Sequence, residues 1–167
     1  MELVGRMMDG SIPPPGAGPK RTFFPWRVSQ DEKMQQLQRV PLLAECSRRQ
    51  LRAVARIAEI RDVAAGDVIT RAGDAGDEFF VIVDGRARAE VSPRKRTRLS
   101  PGDFFGEMSL LDGEPRSATV VAESPMRLLV IPRREFARVL TEVPDLMRSL
   151  LAVLSRRLRQ AEQSVKA

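Results

Sequence analysis

Glycines at Gly66, Gly73, Gly76, Gly85, Gly102 and Gly106 cut residues 60–132 into short runs rich in β-branched and aromatic side chains. Runs this short leave little room for the dozen-residue crossovers that parallel strands need. EFFVIVDG, RARAEVS and MRLLVIP are each of strand length and evenly spaced between turn residues. The segment therefore reads as an antiparallel roll or barrel, and alternating strand–helix nucleotide folds are disfavoured.

Helices flank the β section. Ser29 with Glu32 and Ser47 with Gln50 have the spacing of capping boxes, in which a hydroxyl and an acid or amide satisfy free helix-start amides reciprocally. Met34, Leu37 and Val40 give the first helix an apolar face, and Leu51, Val54, Ile57 and Ala58 do so for the second. Beyond the roll a helix runs from Arg133 to about Leu140. After Pro144 a longer one carries a stripe of Met147, Leu150, Leu151, Leu154, Leu158 and Ala161. That stripe reads as packing against the roll, with a dimer seam or a lid over a ligand as the sharper alternatives.

These signals divide the chain into a Pro/Gly-rich arm at 1–28, expected to be flexible, and a single domain at 29–167. The domain comprises helices within 29–59, a β-roll at 60–132 and C-terminal helices at 133–163. The arm carries an aromatic knot, Phe23, Phe24 and Trp26, suited to docking on its own domain or on a partner.

Composition narrows the chemistry. The sequence contains no histidine and one cysteine, Cys46, which removes the commonest general base and metal ligand and any internal disulfide or thiolate cluster. Catalysis, a metal and a cofactor are not expected, and Cys46 reads as a small buried apolar residue. The sequence shows no export signal and no apolar run long enough to span a membrane, so a cytoplasmic location is expected. The net charge of +6 is dispersed. Its densest run, Arg94, Lys95, Arg96 and Arg98 after Pro93, reads as a solvated hairpin tip rather than a nucleic-acid surface.

The chemistry concentrates in GDFFGEMSLLDGEPRSATVVA, residues 102–122. Gly106 allows a close turn, a helix beginning near Glu107 directs free amides toward it, and Arg116 offers a forked cation for two phosphate oxygens, with the Ser117 hydroxyl beside it. A carboxylate repels phosphate, so Glu107 is suited to accept hydrogen bonds from a sugar hydroxyl instead. An anion site beside a ribose acceptor describes a nucleotide.

FGEMSLL followed by DGEPRSAT resembles the phosphate-binding cassette of the cyclic nucleotide-binding domain family, found in cAMP-dependent protein kinase regulatory subunits and bacterial catabolite activator proteins. AGDVITRAGDAGDEFFVIVDGRARAEV is similar to the first half of that family's roll, and the likeness covers roughly residues 35–160. It implies a mainly β, jelly-roll-like antiparallel β-roll with N-terminal helices and two C-terminal helices. It also implies that Glu107 binds the ribose 2′-hydroxyl and Arg116 the exocyclic phosphate oxygens, with Gly106, Met108, Ser109, Ser117 and Ala118 lining the cassette. Ser109 stands where alanine is common, and a hydroxyl at Ser117 can support the phosphate or reach the 2-amino group of guanine. The base is expected under the terminal helix, where Arg156, Arg159 and Gln160 are candidates. The resulting expectation is a regulatory module that binds cAMP in preference to cGMP and signals through its C-terminal helices to an effector protein or a second copy. The rivals are a Crp-like transcription regulator and a degenerate roll kept as an interaction scaffold. The few residues after the long helix leave no room for a recognition helix, so DNA binding is not expected.

Overall fold

The computed structural model describes residues 29–166; the expectations for the arm and for Phe23, Phe24 and Trp26 lie outside them. The chain enters through α1 (Gln30–Gln38), a single 3-10 turn at Pro41–Leu43 and α2 (Arg48–Ile57). Both capping boxes form. The Glu32 and Gln50 amides donate to Ser29 Oγ and Ser47 Oγ at 3.2 Å, and the two serine amides donate back to the Glu32 and Gln50 side chains. Met34, Leu37, Val40, Leu51, Val54 and Ala58 are buried, whereas Ile57 and Cys46 are half-buried. Cys46 is thus less enclosed than its residue type suggests, and burial, with Asp145 and Glu45 nearby, raises its thiol pKa.

Eight strands follow: β1 (Glu59–Val63), β2 (Val68–Thr70), β3 (Glu78–Asp84), β4 (Ala87–Ser92), β5 (Lys95–Leu99), β6 (Phe104–Phe105), β7 (Thr119–Ala122) and β8 (Met126–Pro132). They form two four-stranded sheets in the orders β1-β8-β3-β6 and β2-β7-β4-β5, with every pairing antiparallel. A short helix, α3 (Glu107–Asp112), interrupts the roll, and α4 (Arg133–Glu142) and α5 (Pro144–Lys166) close the chain.

The runs EFFVIV and RLLVI lack the alternation of a half-buried strand because the sheet holding β3 and β8 is covered on both faces. Successive side chains of a strand point to opposite sides. Phe80, Ile82, Leu128 and Val130 accordingly face the second sheet, in one cluster with Val120, Ala122 and Ala87. Phe79, Val81, Leu129 and Ile131 face the helices, in a cluster with Leu37, Val54, Phe136 and Leu150. Phe79 joins the layers, its ring centroid 4.9 Å from Phe136 and 5.7 Å from Phe104. Burying a side chain of this size contributes about 1.5–3 kcal/mol, so β3 anchors both halves of the core.

The second sheet keeps one face in water. Arg94 sits in the β4–β5 turn, and Lys95, Arg96 and Arg98 are exposed along the edge strand β5, so the basic run is a hairpin. Charged side chains on an edge strand discourage pairing with other chains. Among the described residues no helix is long and apolar enough to cross a membrane.

Candidate functional site

The site forms where β6 ends against β3. Phe105 pairs with Phe80, and the chain then turns through Gly106 at φ +87° into α3. A Cβ at Gly106 would lie 2.7 Å from Arg116 Nη1 and 2.8 Å from the Glu78 carbonyl oxygen. Left-handed backbone and close approach together leave only glycine here. At the far end of α3, Gly113 donates to the Ser109 carbonyl and the Glu114 amide to Asp112 Oδ1, and the chain runs on through Pro115 to Arg116. The Arg116 amide donates to the Asp74 carbonyl at 2.8 Å and its carbonyl accepts from the Gly73 amide at 2.9 Å. These bonds hold its backbone against the β2–β3 loop while the side chain turns inward.

Arg116 is buried, with 8% of its surface exposed. Nη1 donates to the Gly106 carbonyl at 2.9 Å and Nη2 to the Glu78 carbonyl at 2.8 Å, and the guanidinium lies 5.7 Å from the Phe80 ring centroid. A guanidinium carries five N–H donors, so these two bonds fix its position and leave three for an anion. Burial lowers its pKa and Arg133 adds to this, while Asp77, Glu78 and Glu107 oppose; arginine stays charged through such shifts. Gly76 forms the wall behind it. A Cβ there would meet Ser109 Cβ at 2.6 Å and Arg116 Nε at 2.7 Å. Arg133, at the start of α4, donates to the Gly76 and Ser109 carbonyls and so fastens that wall to α3.

Glu107 opens α3 and is 3% exposed. Burial raises its carboxyl pKa from the ordinary 4.5, opposed by its own backbone hydrogen bond and by Arg157 and Arg116. Arg157 on α5 is its ion-pair partner. Nη1 donates to Glu107 Oε1 at 3.1 Å and Nη2 to the Phe104 carbonyl at 3.2 Å, with the guanidinium 4.4 Å from the Phe104 ring centroid. Oε1 accepts from the arginine, and the carboxylate also takes a hydrogen bond from its own main chain.

Gly106, Glu107, Ser109 and Arg116 therefore meet in one enclosed cluster. Met108 and Ser117 are exposed beside it, the Ser117 hydroxyl donating to Met108 Sδ at 3.6 Å. The Ala118 carbonyl accepts from Thr70 Oγ1 at 3.1 Å. Arg156, Arg159 and Gln160 are exposed on α5, and the arginine of that helix that reaches the cluster is Arg157. Its signal was in the spacing. Steps of four, three and four from the buried Leu146 pass through Leu150 and Val153 to Arg157. Gly76, Glu78 and Arg133 also escape sequence reasoning, the glycine by its neighbours and the other two because they act through a main-chain carbonyl or on one.

A separate cavity of about 890 Å³, bounded by Gln36, Arg39, Asp62, Asp84, Pro101 and Arg127 among others, shares no residue with this cluster. The Arg127–Asp62 ion pair on its wall closes at 2.9 Å.

Residues 60–142 match the family model described as cyclic nucleotide-binding domain. The chain belongs to that family. A cyclic nucleotide-gated potassium channel of Mesorhizobium japonicum is 38% identical over 107 residues, covering 64% of this chain and 30% of the channel. The Thermus thermophilus catabolite activator protein superposes with a TM-score of 0.69 at 29% identity, covering 75% of this chain and 62% of that one. The regulatory domain of Toxoplasma gondii PKA, solved with cAMP, superposes with a TM-score of 0.65 at 26% identity, covering 78% of this chain and 50% of that one. This cyclic nucleotide-binding domain spans less than half the length of the channel relatives it matches.

Proposed function

We propose that this cyclic nucleotide-binding domain is a non-catalytic receptor for a cyclic purine mononucleotide, cAMP in preference to cGMP, that signals through α4 and α5 to an effector protein or a second copy. The observation that carries the reading is the burial of Arg116 and Glu107 together around Gly106, whose carbonyl the arginine already holds. A buried cation with spare N–H donors suits the exocyclic oxygens of a cyclic phosphate. A buried carboxylate beside that cation suits the ribose 2′-hydroxyl. The preference for cAMP draws on Ser117, the hydroxyl suited to the guanine 2-amino group, which is engaged with Met108 Sδ. Arg157 links the ribose acid directly to α5, so an event at Glu107 is felt on the terminal helix.

Calorimetry with cAMP and cGMP on the wild type and Arg116→Ala tests this. Saturable heat for the wild type, stronger with cAMP, and a loss of about 100-fold in the variant are expected, since truncating one side of a desolvated charge contact costs several kcal/mol. No heat with either nucleotide leaves the interaction scaffold as the reading that stands. Appearance of AMP on prolonged incubation would refute the non-catalytic assignment.

A further inference from the structure

The solvent side of α2 breaks the local rules of a stable helix. Arg48, Arg49, Arg52 and Arg56 are all exposed, and the helix carries no acid. At about 100° per residue the four share an arc of roughly 100°, beside the buried Leu51, Val54 and Ala55. Arg48 to Arg52 and Arg52 to Arg56 are steps of four, which set like charges where a helix gains from opposite ones. Arg48 and Arg49 also stand in the first turn, at the positive end of the helix dipole, where an acid is favoured. Among the described residues none of the four arginines enters an ion pair. These placements cost α2 stability, and departures of this kind concentrate on surfaces that serve a function.

We propose that this stripe docks an acidic helix of a partner protein, whose carboxylates at four-residue spacing meet Arg48, Arg52 and Arg56. Residue type, spacing and length select that occupant. Every cation of the stripe is an arginine, whose planar fork binds a carboxylate through two parallel bonds. Successive arginines are about 6 Å apart along the axis at 1.5 Å per residue, the same interval as carboxylates four residues apart on another helix. Exposed Glu45 and Glu59 stand just beyond the two ends of α2, so the cationic surface is about 12 Å long and bounded by acids. A nucleic-acid backbone continues its charge in both directions and runs into those acids. A short acidic helix ends before them.

The chain itself supplies no such occupant. Residues 1–28 contain Glu2 and Asp9 against Arg6, Lys20, Arg21 and Arg27, so the arm brings more cations than acids. A second copy brings the same net charge of +6, and none of the described helices carries two acids four residues apart. The partner is therefore a different protein. No residue of α2 belongs to the Arg116 cluster, so this surface does not depend on the nucleotide reading.

Fluorescence anisotropy tests it, with the full chain titrated at low salt into a labelled alanine-based helical peptide that carries three glutamates four residues apart. The wild type is expected to bind this peptide. A peptide of the same composition with its glutamates five residues apart, which spreads them around the helix, should bind about tenfold more weakly. Arg52→Glu should weaken binding of the first peptide by more than about tenfold, since it sets an acid against an acid. The same variant should melt about 2–4 °C higher, because both four-residue repulsions become attractions, and should respond to cAMP as the wild type does. Arg116→Ala should bind the peptide unchanged, so failure of the nucleotide site and failure of this surface are separate results. No binding of the first peptide, equal binding of the two peptides, or a lower melting temperature in Arg52→Glu overturns the proposal. Tighter binding of a tetranucleotide of equal charge overturns it in favour of a nucleic acid.

Discussion

Gly76→Ala places one methyl group behind the cation on which the proposed site depends. The new Cβ would stand 2.6 Å from Ser109 Cβ, 2.7 Å from Arg116 Nε and 2.8 Å from its Cζ, where carbon atoms ordinarily approach to about 3.5–4.0 Å. Roughly 1 Å of overlap has to be relieved. Ser109 is buried in α3 and cannot retreat without moving the cassette, so the guanidinium moves and strains its bonds to Gly106 and Glu78. Overpacking of this kind costs about 1–3 kcal/mol of stability. The phosphate contact is more sensitive. A hydrogen bond to a charged group contributes about 1.5–3 kcal/mol, and misplacing the guanidinium should weaken cAMP binding about 10- to 100-fold. Gly66→Ala is the control. Its φ of +89° makes alanine strained, but nothing lies within 4 Å of its added Cβ, so it should cost about 1–2 kcal/mol of stability and leave affinity unchanged. Urea melts and calorimetric titration of both variants separate the effects. Wild-type affinity in Gly76→Ala, or an equal loss of affinity in Gly66→Ala, would refute the reasoning that this wall positions Arg116.

Two further outcomes follow from the Glu107–Arg157 contact. Arg157→Ala removes its bonds to Glu107 and Phe104; because the arginine side chain is 40% exposed, screening holds the loss to about 1–2 kcal/mol. Amide exchange in the second half of α5 should quicken, and an unchanged exchange profile would count against Arg157 as the tether. The raised pKa of Glu107 sets the sign of its pH effect: its contribution to stability is complete below the ordinary 4.5 and is lost as pH rises through the folded value. Glu107→Gln should therefore gain stability on the wild type as pH increases over that window while binding nucleotide more weakly at neutral pH. Parallel stability–pH curves for the two proteins would contradict this.

Much of the architecture is legible in residue order because its causes are local. Glycine spacing marks the strands, and the hydroxyl–acid and hydroxyl–amide pairs mark two helix starts that form as capping boxes. The cassette is legible for a related reason. Gly106, Glu107 and Arg116 lie within eleven residues, so one turn, one short helix and one bend bring them together. The partners of that cassette come from far along the chain. Glu78, which holds Arg116 through its carbonyl, is 38 residues away, and Arg157 is 50 residues from Glu107. A main-chain carbonyl carries no sequence signature at all.

The long helix shows where the boundary falls. Its amphipathic repeat was plain, but Leu150 and Leu151 stood in one stripe that the folded protein divides between its core and its surface. Residue order alone was enough to show that α5 has a hydrophobic side, that the roll is antiparallel and that Gly106, Glu107 and Arg116 share one short segment of it. Which edge of α5 faces inward follows from packing, because the turn at Val143 and the burial of Leu146 and Leu150 set the rotation of the helix about its axis. That rotation brings Arg157, rather than Arg156 or Arg159, to the buried acid. A shift of one residue along a helix is a swing of about 100°, and only contacts between distant elements can fix it.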